Sequence, residues 1–365
     1  AESVNLDGFL ELVWAAEGAI MDKPTSALGT ELGAAEALKG GTTSVLDMYL
    51  NPDATHEAAV RVGLRHISGP IFFDFPGLDG MQWEERIEFG KNWPALLSSI
   101  GGPEIPLYFM PHSTYTDSPE HLREVASLAE SLGARIHLHV SETMNENDTV
   151  QKRYSQSPTQ VCDETGILNS PTVLGHGVHL SDSDLGILKK HNSSVAHCPS
   201  SNLKLGSGVA DYLHYTSSGI TVGLGTDSCS SSNDLDMWLV MRMAAHMVAL
   251  KHSPSDVKPE DIVRAATLEG ARAIGIDHLV GSIEVGKRAD MIALDLTALH
   301  LTPIHNVAAL LVFAAGRSDV SDVWVDGKQI IRSRKPLTFD PADIRSRVEG
   351  RISALDSLRT SPHAL

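Results

Sequence analysis

Three stretches of this sequence carry a β-forming run up to a side chain that can hold a metal or move a proton. The first, Arg135-Ile136-His137-Leu138-His139-Val140, runs on into Ser141 and Glu142. Strand side chains alternate between faces, so His137 and His139 share one face. A histidine at a strand end can ligate zinc or iron through an imidazole nitrogen, and a carboxylate three residues on can reach a water held there. The second stretch is Leu174-Gly175-His176-Gly177-Val178-His179-Leu180, with His176 where the strand runs out. The third, Val222-Gly223-Leu224-Gly225-Thr226-Asp227, is apolar until it stops at a carboxylate. That carboxylate is costly to bury unless it binds metal or accepts hydrogen bonds. Each stretch also has a plainer explanation. His-x-His-x-x-Glu can serve a core or a cap, His176 and His179 can be satisfied structural histidines, and Asp227 can cap a helix. The three together are stronger than any one, because a barrel converges its strand ends on a single mouth.

The elements that must position these groups follow from periodicity. Short β-rich runs alternate with helical stretches over roughly the first three quarters of the chain, the pattern of a parallel sheet. The expected strands are Thr42 to Tyr49, Arg65 to Phe72, Ile105 to Pro111, Arg135 to Val140, Thr172 to Val178, Ser193 to Cys198 and Thr221 to Asp227. A closed (β/α)8 TIM-type barrel needs about eight. The front of the chain instead carries helical stripes at Phe9 to Ile20 and Leu32 to Leu38, so the first strand is missing. A doubly wound open sheet is the alternative, but no glycine-rich phosphate loop follows the first strand. The expectation is therefore an α/β fold with a metal-dependent-hydrolase barrel over residues 1–280.

Beyond the helical stretch Pro259 to Ile274 the pattern changes. Gly281 to Asp290 leads into a strand, Met291 to Leu296, and Val323 to Ile331 reads as a strand pair around a Gly327 turn. Residues 281–335 are expected to be the C-terminal part of a small β-sandwich domain, and 336–365 a helical tail with its helix from Pro341 to Leu358. So few strands rarely stand alone, so their partners are expected N-terminal to residue 1.

Hydrophobic residues are 42% and charged residues 21% of the 365, ordinary globular usage. The formal net charge of -17 opposes both nucleic acid and anionic membrane surfaces as partners. Cys162, Cys198 and Cys229 lack CxxC spacing, which argues against a disulfide framework or thiolate zinc site and fits a reducing cytoplasm. The longest apolar run, around Val307 to Ala315, is too short to cross a bilayer, and no leader-like segment opens the sequence.

The runs His137 to Thr143, His176 to Leu180, His197-Cys198-Pro199-Ser200-Ser201-Asn202-Leu203-Lys204-Leu205, Gly223 to Asp227 and Ser232 to Met237 resemble one branch of the amidohydrolase superfamily. That branch holds the methylthioadenosine and S-adenosylhomocysteine deaminases and the triazine hydrolases. The resemblance runs in order over nearly the whole chain, Pro111-His112-Ser113 and Gly281 to Asp290 included. It implies that His139 and Asp227 ligate one divalent metal, zinc ahead of iron or manganese. It also implies that Glu142 and His176 handle protons, aided by Asp227, and that His112, Glu17 and Glu142 contact a small heterocyclic substrate. His197 and Asn202 are assigned to support. The implied activity is hydrolytic deamination of an adenosine-like, guanine-like or pterin-like ring. The alternatives are a triazine-type chlorohydrolase or aminohydrolase and a metal-free, non-enzymatic relative; a homo-oligomer is left open.

Two departures stand out. The family's His-x-His pair at the end of its first barrel strand has no counterpart before Glu17. That gap, the missing strand and the half domain together predict a trimmed N-terminal stretch. Natural loss of the metal is the other explanation, but drift would not be expected to keep Glu142, His176 and Asp227 together. The second departure concerns the arginines that hold an amino-acid carboxylate in adenosylhomocysteine-type members: Ser68 to Asn92 offers only Arg86. Phe72, Phe73, Phe75 and Trp83 could instead stack on a flat ring or pack in the core.

Overall fold

The computed structural model describes residues 3–359. Eight short strands precede residue 225: β1 (Ser44–Leu46), β2 (Arg65–Ile67), β3 (Ile71–Phe72), β4 (Tyr108–Pro111), β5 (Arg135–Val140), β6 (Thr172–His176), β7 (Ser194–His197) and β8 (Thr221–Leu224). They arise from the seven expected runs, because Arg65 to Phe72 is two strands rather than one. The break at Ser68-Gly69-Pro70 has a local cause. Pro70 has no N–H to donate to a ladder, and Gly69 presses so close to β4 that a Cβ would lie 2.2 Å from the Tyr108 carbonyl oxygen.

All the pairings are parallel, β1 with β2 and then β3 through β8 in chain order. Helices on the connections make this the wall of a (β/α) barrel. Among the described residues no ladder joins β8 to β1. Alternation sorts the two faces of the wall. Ile136, Leu138 and Val140 of β5 face the core shared with the outer helices, whereas Ile67, Tyr108, Met110 and Val173 fill the barrel interior. The odd-numbered His137 and His139 therefore project inward.

The helical stripes at the front become helices Leu6–Ile20 and Lys23–Lys39, capped by Asn5 and Asp22. The stretch Pro259 to Ile274 is broken at Thr267 into helices Pro259–Ala266 and Leu268–Ala273. Beyond them lies a four-stranded antiparallel layer, in the order β12-β11-β10-β9: β9 (Met291–Leu294), β10 (Val320–Val325), β11 (Lys328–Arg332) and β12 (Lys335–Pro336). Asp326 and Gly327, both with positive φ (50° and 80°), make the tight turn between β10 and β11. Arg65 of β2 ties the layer to the barrel through two 3.0 Å bonds to Asp290, and both side chains are almost wholly buried. The tail helix Pro341–Arg359 is held by Arg347, which donates to both oxygens of Glu31 at 2.9 and 2.7 Å. Expected tail residues 360–365 lie outside the described residues. No helix of the described residues is long and apolar enough to cross a membrane.

Candidate active site

The three singled-out strand ends meet. A cavity at the C-terminal ends of the barrel strands is lined by His112, Tyr115, His139, Glu142, His176 and Asp227, with Leu6, Phe9 and Leu10 of the first helix across it. The ring centroids of His139 and His176 are 5.5 Å apart, and those of His112 and His139 are 4.8 Å apart. His176 Nε2 stands 3.6 Å from Glu142 Oε2. A wider depression, lined by Glu260, His305 and Leu311 among others, lies on the outer surface and takes no residue from these strand ends.

Alternation alone does not aim these groups. On β6, Val173 faces the barrel interior and Leu174 the outer core, so a continued strand would turn His176 outward. Left-handed backbone swings it to the mouth: φ is 68° at His176, 53° at Ser141 and 60° at Asp227. Such conformations are uncommon for residues with a Cβ and collect at functional sites.

Hydrogen bonds then fix each ring. His139 Nδ1 donates to the His112 carbonyl at 2.9 Å, leaving Nε2 as a free acceptor. His176 Nδ1 donates to Asn202 Oδ1, also at 2.9 Å. Asp227 accepts from the Ser231 hydroxyl at 2.7 Å, and the Ser207 hydroxyl approaches Glu142 Oε1 at 3.4 Å. His112 Nδ1 bonds the Thr116 hydroxyl at 3.1 Å, which leaves its Nε2 for whatever enters the cavity.

Charge states follow from the neighbours. Burial depresses the titration of His139 and of His112, with the surrounding histidines adding to the effect, so both rings are neutral. Burial also works against protonated His176, but Glu142 and Asp227 outweigh it and raise the group above the ordinary histidine value. Asp227 is the converse case: burial raises it, while His176 and hydroxyl donors more than reverse that and keep it ionised. A neutral imidazole with a bare Nε2 and an ionised carboxylate are the states metal ligation requires. His139 and Asp227 thus fit as donors. Catalytic zinc sites typically use about three protein ligands, however, and among the described residues no group of three or more His, Cys, Asp or Glu is placed to hold an ion.

Other expected residues are placed less centrally. Glu17 is half-buried but does not line the cavity; its carboxylate accepts the Tyr49 hydroxyl at 2.5 Å, and burial raises its titration against that bond. Trp14, one turn earlier, reaches the site instead, with its ring 6.1 Å from His112 and 6.0 Å from Phe75. Phe73 lies 5.2 Å from both His112 and Phe75. Phe72 is core, packed on Phe109, and Trp83 stacks at 3.7 Å on His121. His197 is buried beside Tyr212, on the outer side of β7, in keeping with a supporting role. His179 donates to the Ser207 carbonyl at 2.6 Å, the structural role expected of it. Arg86 is buried and committed to Asp79 at 2.6 and 3.1 Å.

Residues 2–330 match the model of the Amidohydrolase family. The chain belongs to that family. Among curated relatives of this amidohydrolase, a 5-methylthioadenosine/S-adenosylhomocysteine deaminase of Desulforudis audaxviator is 36% identical, covering 88% of this chain and 74% of its own. The crystal structure of an adenosine deaminase from Xanthomonas campestris with bound zinc matches with a TM-score of 0.92 at 34% identity, over 99% of this chain and 82% of that one. The zinc complex of an atrazine chlorohydrolase from Arthrobacter aurescens matches with a TM-score of 0.86 at 22% identity, over 96% and 83% of the two chains, a likeness of fold.

Sequence reasoning missed Tyr49, Tyr115, Ser207, Ser231 and Glu146. Most carry no local signal, since a lone hydroxyl reads as surface. Glu146 does carry one: Thr143-Met144-Asn145-Glu146 is the T-x-x-E pattern of a helix start, and the Thr143 hydroxyl accepts from the Glu146 N–H at 3.1 Å.

Proposed function

We propose that this amidohydrolase is a hydrolytic deaminase that releases ammonia from an amino-substituted nitrogen heterocycle, a C–N bond hydrolase acting on cyclic amidines. The observation that carries the reading is the meeting of Glu142, His176 and Asp227, from three separate strand ends, in one cavity beside His139 and His112. The deaminase relatives at more than one-third identity point to a nucleoside-type ring.

A divalent ion, zinc in this reading, would be held in part by His139 and Asp227 and would supply a water that is acidic near neutral pH. The chain's own groups do the rest. Glu142 takes a proton from the attacking water and delivers it to the ring nitrogen. It then carries the remaining water proton, from the hydroxyl of the addition product, to the departing amine as the C–N bond breaks, the carbonyl forms and ammonia leaves. His176, whose protonated form Glu142 and Asp227 favour and whose ring Asn202 orients, stabilises negative charge beside them. His112, neutral, presents Nε2 to the ring, while Trp14, Phe73 and Phe75 form an aromatic wall next to it. Glu17 contacts the substrate beyond the ring. We also read the antiparallel layer as one face of a small β-sandwich domain over 281–335, following a barrel unit over 1–280 and preceding the tail.

The test pairs metal analysis with an ammonia-release screen over adenosine-like, guanine-like, pterin and triazine compounds. About one metal per chain and ammonia from a purine-type ring support the proposal. Chloride or alkylamine from a triazine without ammonia would replace it with the triazine-hydrolase reading. No metal and no turnover after reconstitution would leave a non-enzymatic barrel.

A further inference from the structure

Glu146 is 4% exposed and belongs to no part of the chemistry above. Both of its carboxylate oxygens are used: Oε1 accepts the Ser141 N–H at 3.0 Å, and Oε2 accepts the Glu142 N–H at 2.8 Å. Those two amides flank the bend where β5 has ended and the helix Met144–Tyr154 has not begun. Ser141 holds a left-handed φ of 53° there. An ordinary capping box would aim the glutamate at the N–H of its own cap residue, Thr143. Here the carboxylate reaches one and two residues further back, onto the turn that presents Glu142.

We propose that Glu146 is a positioning residue for proton transfer: its carboxylate clamps the strained Ser141–Glu142 backbone and so holds the Glu142 side chain at its 3.6 Å approach to His176. The inference rests on the deaminase reading for the role of Glu142 as proton carrier. Three features converge on it. A non-glycine left-handed residue is uphill by itself and persists only where its surroundings enforce it. A buried carboxylate is costly without donors, and these two backbone N–H groups are its donors. The amides it holds adjoin Glu142, the carboxylate that stands 3.6 Å from His176 Nε2. Ser207 alone would hold Glu142 weakly, through a single contact of 3.4 Å.

The test compares Glu146→Gln, Glu142→Gln and the double variant in the metal-loaded full chain. Glu146→Gln turns one accepting oxygen into an NH2 group that opposes a backbone N–H. The expected result is a kcat loss of about tenfold or more with KM within about twofold, because misplacement of the shuttle by a fraction of an ångström acts on the chemical step. In the double variant the two losses do not multiply, since Glu146 acts only through Glu142. Amide hydrogen exchange at Ser141 and Glu142 accelerates by about tenfold or more, whatever the catalytic outcome. Glu85→Gln removes a comparable capping contact, the 2.8 Å bond to the Gln82 N–H on the surface helix Trp83–Ile100, and leaves kcat unchanged. If Glu146→Gln does not fold, Glu146→Asp, which retracts both acceptors by one methylene, gives the same pattern. A folded variant with kcat within about twofold of wild type, or losses that multiply in the double variant, overturns the proposal. Should the wild type release no ammonia from any ring, the deaminase reading fails separately. The exchange rates then judge the clamp alone, and unchanged exchange sinks it.

Discussion

Glu142→Gln is the substitution that asks most of the proposed chemistry. The glutamine fills the volume of the glutamate, and its amide oxygen can still meet the Ser207 hydroxyl at the wild-type 3.4 Å, so the pocket is preserved. What disappears is a proton site and a negative charge 3.6 Å from His176 Nε2. General acid-base transfer is worth roughly a hundred- to ten-thousandfold, or about 2.7–5.4 kcal/mol in the activation barrier at about 1.36 kcal/mol per decade. A loss of kcat in that range, with KM little changed, is expected in steady-state ammonia release on any ring found by the screen. The charge makes a second, independent prediction. His176 titrates above the ordinary histidine value because Glu142 and Asp227 together overcome its burial. Without Glu142 the protonated ring loses one of the two carboxylates that favour it, so its titration moves to lower pH. Imidazole NMR on the variant reads that shift directly. Turnover within about tenfold of wild type would remove Glu142 from the proton path; a His176 titration that did not fall would show that the 3.6 Å approach carries no electrostatic coupling.

Three further outcomes concern the scaffold. Burial holds His56 and His197 at about 4, below the ordinary 6.5, so the unfolded chain binds more protons than the folded one in that window. Stability is full above about pH 6.5 and falls as pH drops towards 4, by about 3 kcal/mol per group, and denaturant melts at pH 7 and 5 should show it; a flat profile refutes the assignment. Arg65→Met strands Asp290, whose side chain is 2% exposed, and should destabilise the protein by about 3–5 kcal/mol, with Asp290→Asn restoring part of the loss; a variant melting like wild type would show that the pair contributes nothing. Gly69→Ala sets a methyl carbon 2.2 Å from a backbone oxygen of β4, which cannot swing aside as a side chain can, so the expected cost is at least about 1–3 kcal/mol and an unchanged midpoint would contradict the packing between β3 and β4.

The barrel wall was legible because parallel strands buried on both faces leave apolar runs, and helices with clear caps separate them. The one strand misread, Arg65 to Phe72, contained its own correction in Gly69-Pro70. The convergence of His139, His176 and Asp227 was also legible, since it follows from where strands end. Their aim was not. Period-two reasoning turns His176 away from the cavity, and only a left-handed φ of 68° brings it round. The partners that fix charge are equally remote from local pattern: Asn202 lies 26 residues from His176, and Asp290 lies 225 from Arg65. Trp14 shows the opposite case: no local pattern marks it, yet the structure brings it to His112, one turn from Glu17, whose carboxylate accepts the Tyr49 hydroxyl. The periodic parts of this chain therefore build the wall, and the chemistry sits at the residues where the period is broken. Those breaks cost conformational energy that a neighbour must offset. At Ser141 the neighbour is Glu146, which accepts two backbone N–H groups where regular strand or helix would have satisfied them.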